Sequence, residues 1–220
     1  MSDRGFFISF EGIEGSGKSA HSSRLYRFLE AEGYSCVLTQ EPGGTPVGEK
    51  IRSLLLDPLT GDLDPLTETF LFQASRREHV ERLIKPSLSL GKILICVRFI
   101  DSTLAYQGFG RKVDLQLLKN LNWMATGGVL PDLTLLLDVN PEQGLLRALS
   151  HTGEEELRFE QEFTRRKETL HSIRKGYLEL ARANSSRFII IDSNREKEEV
   201  FRQIRDSVLS RLPKKGGKEE

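Results

Sequence analysis

Residues 12–19 have the composition and spacing of a loop that binds phosphate groups. They read Gly-Ile-Glu-Gly-Ser-Gly-Lys-Ser and match G-x-x-x-x-G-K-S/T, directly after an apolar run and before a helical pattern. Glycines allow successive backbone N–H groups to turn toward one anion, and the positive end of the following helix adds to the attraction. Lys18 can reach the β- and γ-phosphates of a nucleoside triphosphate, and the hydroxyl of Ser19 can ligate Mg²⁺. The sequence therefore predicts a site for ATP or GTP with Mg²⁺, formed by Gly12, Ile13, Glu14, Gly15, Ser16, Gly17, Lys18 and Ser19.

The remainder of the chain alternates short apolar runs with helical patterns of hydrophobic residues. Five apolar runs are predicted strands, at residues 6–10, 36–39, 93–97, 133–137 and 188–191. Helical patterns fall at residues 19–31, 49–56, 66–90 with a break near Pro86, 102–106, 114–125, 141–149, 157–183 and around 200–208, and a turn is predicted at 108–110. Nearly continuous apolar strands that alternate with helices are typical of parallel sheets. We therefore predict an α/β fold of the P-loop NTPase type, in which helices cover both faces of a five-stranded parallel sheet.

The size and composition of the chain fit one α/β domain. Its 220 residues carry 32 Lys and Arg against 32 Asp and Glu, so the overall charge gives no sign of a nucleic-acid partner. Residues 151–156 are polar, with Gly153 and three consecutive glutamates. We predict a single domain over residues 1–212 with a short mobile flap at about 147–158, and a disordered tail over residues 213–220.

Two further features bear on where the protein works. The N-terminus has no basic and then apolar signal sequence, and no apolar run approaches the ~20 residues of a membrane span. Cys36 and Cys96 lie in apolar runs far apart in the sequence, which favours buried, reduced thiols. Both features predict a cytoplasmic protein without a membrane partner.

Six short strings, spread over most of the chain, occur in an order that is specific. They are residues 10–19 (FEGIEGSGKS), 41–45 (EPGGT), Phe72 and Arg76 in an F-x-x-x-R pattern, 98–108 (RFIDSTLAYQG), 137–139 (LDV) and 158–160 (RFE). Together, from about residue 6 to residue 192, they resemble thymidylate kinases of the bacterial type, a family of P-loop nucleoside monophosphate kinases. The resemblance implies transfer of the γ-phosphoryl group of ATP to dTMP, which gives dTDP and ADP, and it implies a homodimer.

The resemblance also implies a pocket for dTMP. Phe72 and Arg76 lie one helical turn apart and so share a face. Taken alone they would fit a core phenylalanine beside a surface arginine, but the resemblance implies that the ring stacks on thymine and the guanidinium binds its carbonyl group. Arg98 ends the third predicted strand, where parallel sheets place ligand-binding groups, and is implied to bind the phosphate. Tyr106 is implied to crowd a 2′-hydroxyl, and Glu14 to face a sugar hydroxyl. The full implied pocket is Glu14, Glu41, Pro42, Phe72, Arg76, Arg98, Ser102, Thr103, Tyr106 and Gln107.

Phosphoryl transfer needs positive charge near the transferred group as charge shifts in the transition state. Lys18, Arg98, Arg158 and Arg147 are the candidates for this role, and Arg158 is the leading one in the flap because it lies in the RFE string. The family supplies arginines from the flap to compensate for a phosphate loop without a basic residue, and the flap of this chain has few of them. Gln40 also occupies a position where the family often has arginine.

A second departure from the family concerns Val97, at the end of the third predicted strand. Members usually carry aspartate here, where it helps to organise Mg²⁺ and the phosphates, and valine can neither ligate a metal nor accept a hydrogen bond. Either the substitution is tolerated, or the protein binds nucleotides with impaired phosphoryl transfer. A kinase for another pyrimidine monophosphate, such as dUMP, is a further alternative. A GTPase has less support, because the sequence has no Asn-Lys-x-Asp string.

Overall fold

A five-stranded parallel sheet is the centre of the structure, a computed structural model that describes residues 4–149 and 167–213. Its strands are β1 (Phe6–Glu11), β2 (Cys36–Gln40), β3 (Ile93–Val97), β4 (Leu133–Asp138) and β5 (Phe188–Asp192), in the order β2-β3-β1-β4-β5. Phe10 of β1 pairs with Val97 of β3 on one side and with Leu135 of β4 on the other. The carboxyl ends of the strands therefore meet at one edge, with the phosphate loop directly after the central strand. The prediction of a five-stranded parallel sheet is confirmed.

The helices alternate with these strands along the chain. Their bounds are α1 (Lys18–Ala31), α2 (Pro46–Leu56), α3 (Pro65–His79), α4 (Lys85–Ser89), α5 (Ile100–Thr103), α6 (Leu115–Thr126), α7 (Pro141–Leu149), α8 (Lys167–Ala183) and α9 (Lys197–Arg211). Wider π-helical turns occupy Val80–Ile84 and Leu104–Gly110, and Pro58–Thr60 forms a short 3₁₀-helix. The predicted helices recur with shifts of a few residues at their ends, except that residues 150–166, where the last long helix was predicted to begin, lie outside the described residues.

Two local predictions are wrong. Residues 108–110 do not form a turn but belong to the π-helical stretch. Both glycines there allow close packing instead, since a Cβ atom on Gly108 would lie 2.4 Å from Leu115 and one on Gly110 would lie 3.1 Å from Ile173. The helical backbone also continues through Pro86 without a break, because the π-helical turn lies just before the proline and Pro86 stands in the first turn of α4.

Helices cover both faces of the sheet, because successive residues of a strand point to opposite sides. On one face, Ile8 shares a buried cluster with Leu25 of α1 and Ile204 of α9. On the other face, the neighbouring Phe7 shares a buried cluster with Ile84, from the π-helical turn after α3. The predicted layer arrangement is therefore confirmed.

Both cysteines are free thiols. Cys96 is buried in β3 and Cys36 is half-buried, and burial raises the pKa of Cys36 to about 11. Neither thiol therefore ionises readily at neutral pH. Within the described parts of the chain, no helix combines the length and the apolar composition that crossing a membrane would require.

Candidate active site

The phosphate loop is closed on itself by its own lysine. The ammonium group of Lys18 donates hydrogen bonds to the carbonyl oxygens of Gly12 at 2.9 Å and Ile13 at 2.7 Å, and lies 3.3 Å from Oγ of Ser16. The hydroxyl of Ser193, just after β5, donates to the carbonyl oxygen of Ser16 at 2.6 Å. The end of another strand therefore supports the curve of the loop.

The phosphate loop also packs directly on helix α7. Gly15 has a φ of 67°, and a Cβ atom on it would lie 1.8 Å from the carbonyl oxygen of Gly144. Conversely, a Cβ atom on Gly144 would lie 2.7 Å from the carbonyl oxygen of Glu14. Each glycine is therefore required by the backbone of the other. Because of this contact, α7 begins next to the loop. Its Arg147 donates a hydrogen bond to the carbonyl oxygen of Ser193 at 2.8 Å and lines a cavity that adjoins the loop.

Arg98, Glu14 and Tyr106 form one charged cluster beside the loop. Oε1 of Glu14 accepts from Nη2 of Arg98 at 2.8 Å and from the hydroxyl of Tyr106 at 2.7 Å, and the guanidinium lies over the Tyr106 ring at 4.9 Å. Burial, together with the nearby Glu14 carboxylate, raises the pKa of Tyr106 well above its usual range, so the phenol remains a donor. Oε2 of Glu14 is buried and accepts no hydrogen bond from the described residues. This oxygen retains the capacity to accept a hydrogen bond.

Arg76 is held in a fixed plane by five side-chain and backbone acceptors, one of them the amide oxygen of Gln73 at 3.4 Å from Nη1. Its Nε donates to Glu41 at 2.8 Å, Nη1 to Thr103 at 2.8 Å and Asn122 at 2.7 Å, and Nη2 to the carbonyl oxygen of Phe99 at 3.0 Å. Only 2% of the Arg76 side chain is exposed. One Nη2 hydrogen has no acceptor among the described residues, and it can bind a ligand carbonyl group without disturbing the others.

Glu41 is in turn fixed by a buried histidine. Its Oε1 lies 3.0 Å from Nδ1 of His79, whose Nε2 lies 2.8 Å from the hydroxyl of Thr39. With Nδ1 as the donor to the carboxylate, Nε2 accepts from Thr39 and every polar atom of the fully buried imidazole has a partner. The chain Thr39–His79–Glu41 therefore sets the position of the carboxylate to which Arg76 is bound.

The side-chain amide of Gln107 is likewise held in place by neighbouring side chains. Its Nε2 donates to Oε1 of Glu68 at 2.7 Å, while Oε2 of Glu68 accepts from Arg111 at 2.9 Å. The amide of Gln107 is thereby oriented so that its carbonyl oxygen remains as the acceptor.

One cavity of about 800 Å³ joins these groups to the phosphate loop. It is lined by all ten residues predicted for dTMP, namely Glu14, Glu41, Pro42, Phe72, Arg76, Arg98, Ser102, Thr103, Tyr106 and Gln107, and by Gly15, Ser16, Gly17, Lys18, Ser19 and Arg147. Gly12 and Ile13 do not line it; the Ile13 side chain lies in the core, and both residues contribute carbonyl oxygens to Lys18. Arg158 and the part of the predicted flap beyond residue 149 lie outside the described residues.

Val97 and Gln40 stand at the carboxyl ends of adjacent strands and line the same cavity. The Val97 side chain thus gives an apolar wall where the family pattern predicts a carboxylate. Asp138, a carboxylate at the end of β4, is bound by Arg174 through two hydrogen bonds of 2.6 and 2.8 Å. It holds α8 against β4 and does not line the cavity.

Several supporting residues were missed by the sequence analysis. Glu68 and His79 lie on the same buried face of α3 as Phe72 and Arg76, at helical spacings of three and four residues. A row of polar side chains on a helical face that also carries the predicted base-binding pair is a signal that could have found them. Asn122 of α6 carried no comparable signal, because its contact with Arg76 joins two distant segments.

A phosphate loop after the central strand of a parallel sheet, with basic and aromatic side chains around the adjoining cavity, defines a P-loop protein of the nucleotide-kinase type. The family model described as thymidylate kinase matches residues 10–204. A thymidylate kinase of Desulfosudis oleivorans is 48% identical over 213 residues, covering 94% of this chain and 97% of the relative. One of Syntrophotalea carbinolica is 46% identical over 217 residues, covering 96% and 99%. The crystal structure of thymidylate kinase from Ehrlichia chaffeensis superposes with a TM-score of 0.73 at 36% identity, covering 93% of this chain and 99% of that one. The chain belongs to the thymidylate kinase family, and these relatives do not favour the alternative of a protein that binds nucleotides with impaired phosphoryl transfer.

Proposed function

We propose that the protein catalyses ATP + dTMP → ADP + dTDP. The observation that carries this proposal is the single cavity in which the phosphate loop adjoins Arg98 and the pair of Phe72 and Arg76. A phosphate oxygen of dTMP attacks the γ-phosphorus of ATP, while the bond from that phosphorus to the oxygen bridging to the β-phosphate breaks and ADP leaves. No covalent enzyme intermediate is needed, because both nucleotides share one cavity.

The acceptor nucleotide is recognised by groups that the structure holds in place. We assign the base to the ring of Phe72 and the remaining Nη2 donor of Arg76, with Gln107 beside them. Arg98 binds the phosphate and exchanges its contact with Glu14 for one with the ligand, since a guanidinium matches phosphate oxygens two at a time. Glu14 is then free to accept from a sugar hydroxyl, and Tyr106 crowds the 2′ position.

The donor nucleotide is bound by the phosphate loop. Lys18 is already among the loop carbonyl groups, and it contacts the β- and γ-phosphates after a rotation of its side chain. The exposed hydroxyl of Ser19 lines the cavity and is a hard oxygen donor that suits Mg²⁺, which is typically held by few protein ligands together with phosphates and water. A bound Mg²⁺ neutralises charge on the phosphates, and Arg147 with Arg158 adds positive charge as a flap over residues 147–158 closes and excludes water.

We also propose a homodimer, built on neighbouring helices α3 and α6. Large apolar side chains on these two helices are exposed, among them Phe70 at 55%, Trp123 at 64% and Met124 at 70%. Large apolar side chains that are exposed on two helices packed against each other support an interface with a second copy. We place the reaction in the cytoplasm, because phosphorylated nucleotides do not cross membranes unaided.

The test is to follow ADP and dTDP together with purified protein, ATP, Mg²⁺ and dTMP, and to repeat it with dUMP and with GTP. Equal amounts of ADP and dTDP, and a preference for ATP and dTMP, are expected. Arg98→Met should raise the KM for dTMP on the order of a hundredfold, the loss of a charge-assisted phosphate contact. Arg82→Met is the matched control, because Arg82 is 74% exposed and pairs with Glu78 on the helix surface. Release of ADP without dTDP, or faster turnover of dUMP, would contradict the proposal.

A further inference from the structure

Glu11 is a fully buried carboxylate at the point where the central strand enters the phosphate loop. It is the last residue of β1, it is 0% exposed, and it does not line the cavity. Both of its oxygens nevertheless reach the turn that carries Arg98. Oε1 accepts from the backbone N–H of Phe99 at 2.7 Å, and Oε2 accepts from the hydroxyl of Ser102 at 2.6 Å.

The turn held by Glu11 has a strained backbone. Arg98 has a φ of 66°, a left-handed conformation that is unfavourable for a residue with a side chain. Such a conformation persists only when surrounding contacts fix it. The N–H of Arg98 donates to the carbonyl oxygen of Phe10 at 2.9 Å, and the next N–H, that of Phe99, donates to Glu11. The carboxylate therefore extends the sheet ladder by one hydrogen bond and fixes the residue after the strained one.

Tyr177 of α8 completes a triangle of oxygen atoms. Its hydroxyl lies 3.0 Å from Oε2 of Glu11 and 2.8 Å from Oγ of Ser102. When Glu11 is ionised, both hydroxyl groups can donate to it, and Ser102 is left to accept from Arg98, whose Nη1 lies 3.5 Å away. When Glu11 is protonated, Oε2 carries the proton and donates to one of the two hydroxyl groups, so it accepts from only one of them. The protonation state of Glu11 therefore sets how firmly its carboxyl group holds Ser102 in the acceptor pocket.

The charges around Glu11 bring this change into the neutral range. Burial and the facing carboxylate of Asp101, itself paired with Arg187, raise the pKa of Glu11 to about 7, against the opposing effects of Ser102, Arg98 and the N–H of Phe99. The other titratable groups facing it are the thiol of Cys96 from β3 and the phenol of Tyr177 from α8.

We propose that Glu11 is a positioning residue for phosphoryl transfer, whose ionised carboxylate holds Arg98 and Ser102 in the arrangement that binds the acceptor phosphate. This inference rests on the proposed function. Glu11 thereby connects the phosphate loop to Arg98 and Ser102, the side chains that bind the acceptor phosphate, and its own side chain contacts neither nucleotide.

The experiment compares kcat/KM for dTMP between the unmodified protein and Glu11→Gln from pH 5.5 to 8.5. Glutamine keeps the shape of the protonated acid but cannot ionise. Because the phosphate of dTMP titrates identically in both reactions, the ratio of the two values isolates Glu11. We expect the ratio to be near one at pH 5.5 and to rise to about tenfold at pH 8.5, the size of exchanging a charged acceptor for a neutral one, with a midpoint near pH 7. A ratio that does not depend on pH, which a merely structural role would give, overturns the proposal.

Two further variants keep the test decisive. Asp101→Asn removes the negative charge that faces Glu11. The midpoint in the pH dependence of kcat/KM for dTMP should therefore lie at lower pH in this variant than in the unmodified protein. An unmoved midpoint overturns the proposal, even where Glu11→Gln does not fold. Asp138→Asn alters another strand-end carboxylate, bound by Arg174, and should leave the midpoint in place. If the unmodified protein forms no dTDP, the proposed function fails. The role of Glu11 is then tested by calorimetry, which compares the affinities of the unmodified protein and of Glu11→Gln. The ratio of the two affinities should depend on pH for dTMP and should not do so for thymidine, which has no phosphate.

Discussion

Replacing Arg76 with methionine should destabilise the protein strongly, because it leaves the carboxylate of Glu41 buried without its cation. The side chains of Arg76 and Glu41 are only 2% and 3% exposed, and they are joined at 2.8 Å. Removing one partner of a buried ion pair typically costs about 3–5 kcal/mol. For a chain of 220 residues, each kcal/mol lowers Tm by about 2–4 °C, so the variant should melt roughly 10 °C lower. The free energy of unfolding is measured by urea titration, with thermal melting as the second assay.

A double-mutant cycle tests whether the buried charge is the cause. Glu41→Gln alone leaves the Arg76 guanidinium without its anion, while the combination of Arg76→Met and Glu41→Gln leaves no unpaired charge. The double variant should therefore lose about 2–3 kcal/mol less than the sum of the single losses. Arg77→Met is the control, since Arg77 is 51% exposed in a surface pair with Glu81 and should cost under ~1 kcal/mol. A loss of under ~1 kcal/mol for Arg76→Met, or additive losses in the cycle, would refute the argument.

The free energy of unfolding should fall by about 3 kcal/mol as the pH rises from 4.5 to about 7, because the folded protein holds a proton on Glu11 that the unfolded chain releases. Urea unfolding at several pH values measures this change. An equal fall in the Glu11→Gln variant would contradict the prediction. Val97→Asp should raise kcat on the order of tenfold if the missing carboxylate limits phosphoryl transfer. Val97→Asn, its neutral control, should not raise kcat. Equal kcat values in the two variants would show that valine in place of the family aspartate is tolerated. Lys18→Met should lower kcat on the order of 10²-fold or more while calorimetry still detects dTMP. Phe70→Glu should give a monomer in analytical ultracentrifugation, and Leu209→Glu, at an exposed position of α9, should not. An unchanged mass for Phe70→Glu would place the interface elsewhere.

The layer arrangement of the fold could be predicted from the sequence because it depends on patterns within single segments. Each strand is an apolar run of a few residues, and the run at Ile93–Val97 was placed with its exact bounds. The phosphate loop is likewise local, since its glycines and Lys18 lie within eight residues. The positions of Phe72, Arg76 and Arg98 around one cavity followed from the family resemblance. That Arg98 lies near Phe72 and Arg76, which precede it by 22 or more residues, could not be derived from spacing alone.

The supporting contacts could not be predicted for a physical reason. Asn122, Glu68 and Glu11 act on residues 39 to 91 positions away, and a buried polar side chain has no periodic signal that identifies its partner. Packing likewise decided the conformation of residues 108–110, whose glycines were read as a turn although they are needed for close approach to neighbouring helices.

The contact between Gly15 and Gly144 restricts how this sequence can change over evolutionary time. A descendant cannot acquire a basic side chain at position 15 through one substitution, because even a Cβ atom there would overlap the α7 backbone. Moving α7 away to make room would also displace Arg147. In this structure, a basic side chain at position 15 and the present placement of α7 with Arg147 therefore exclude each other.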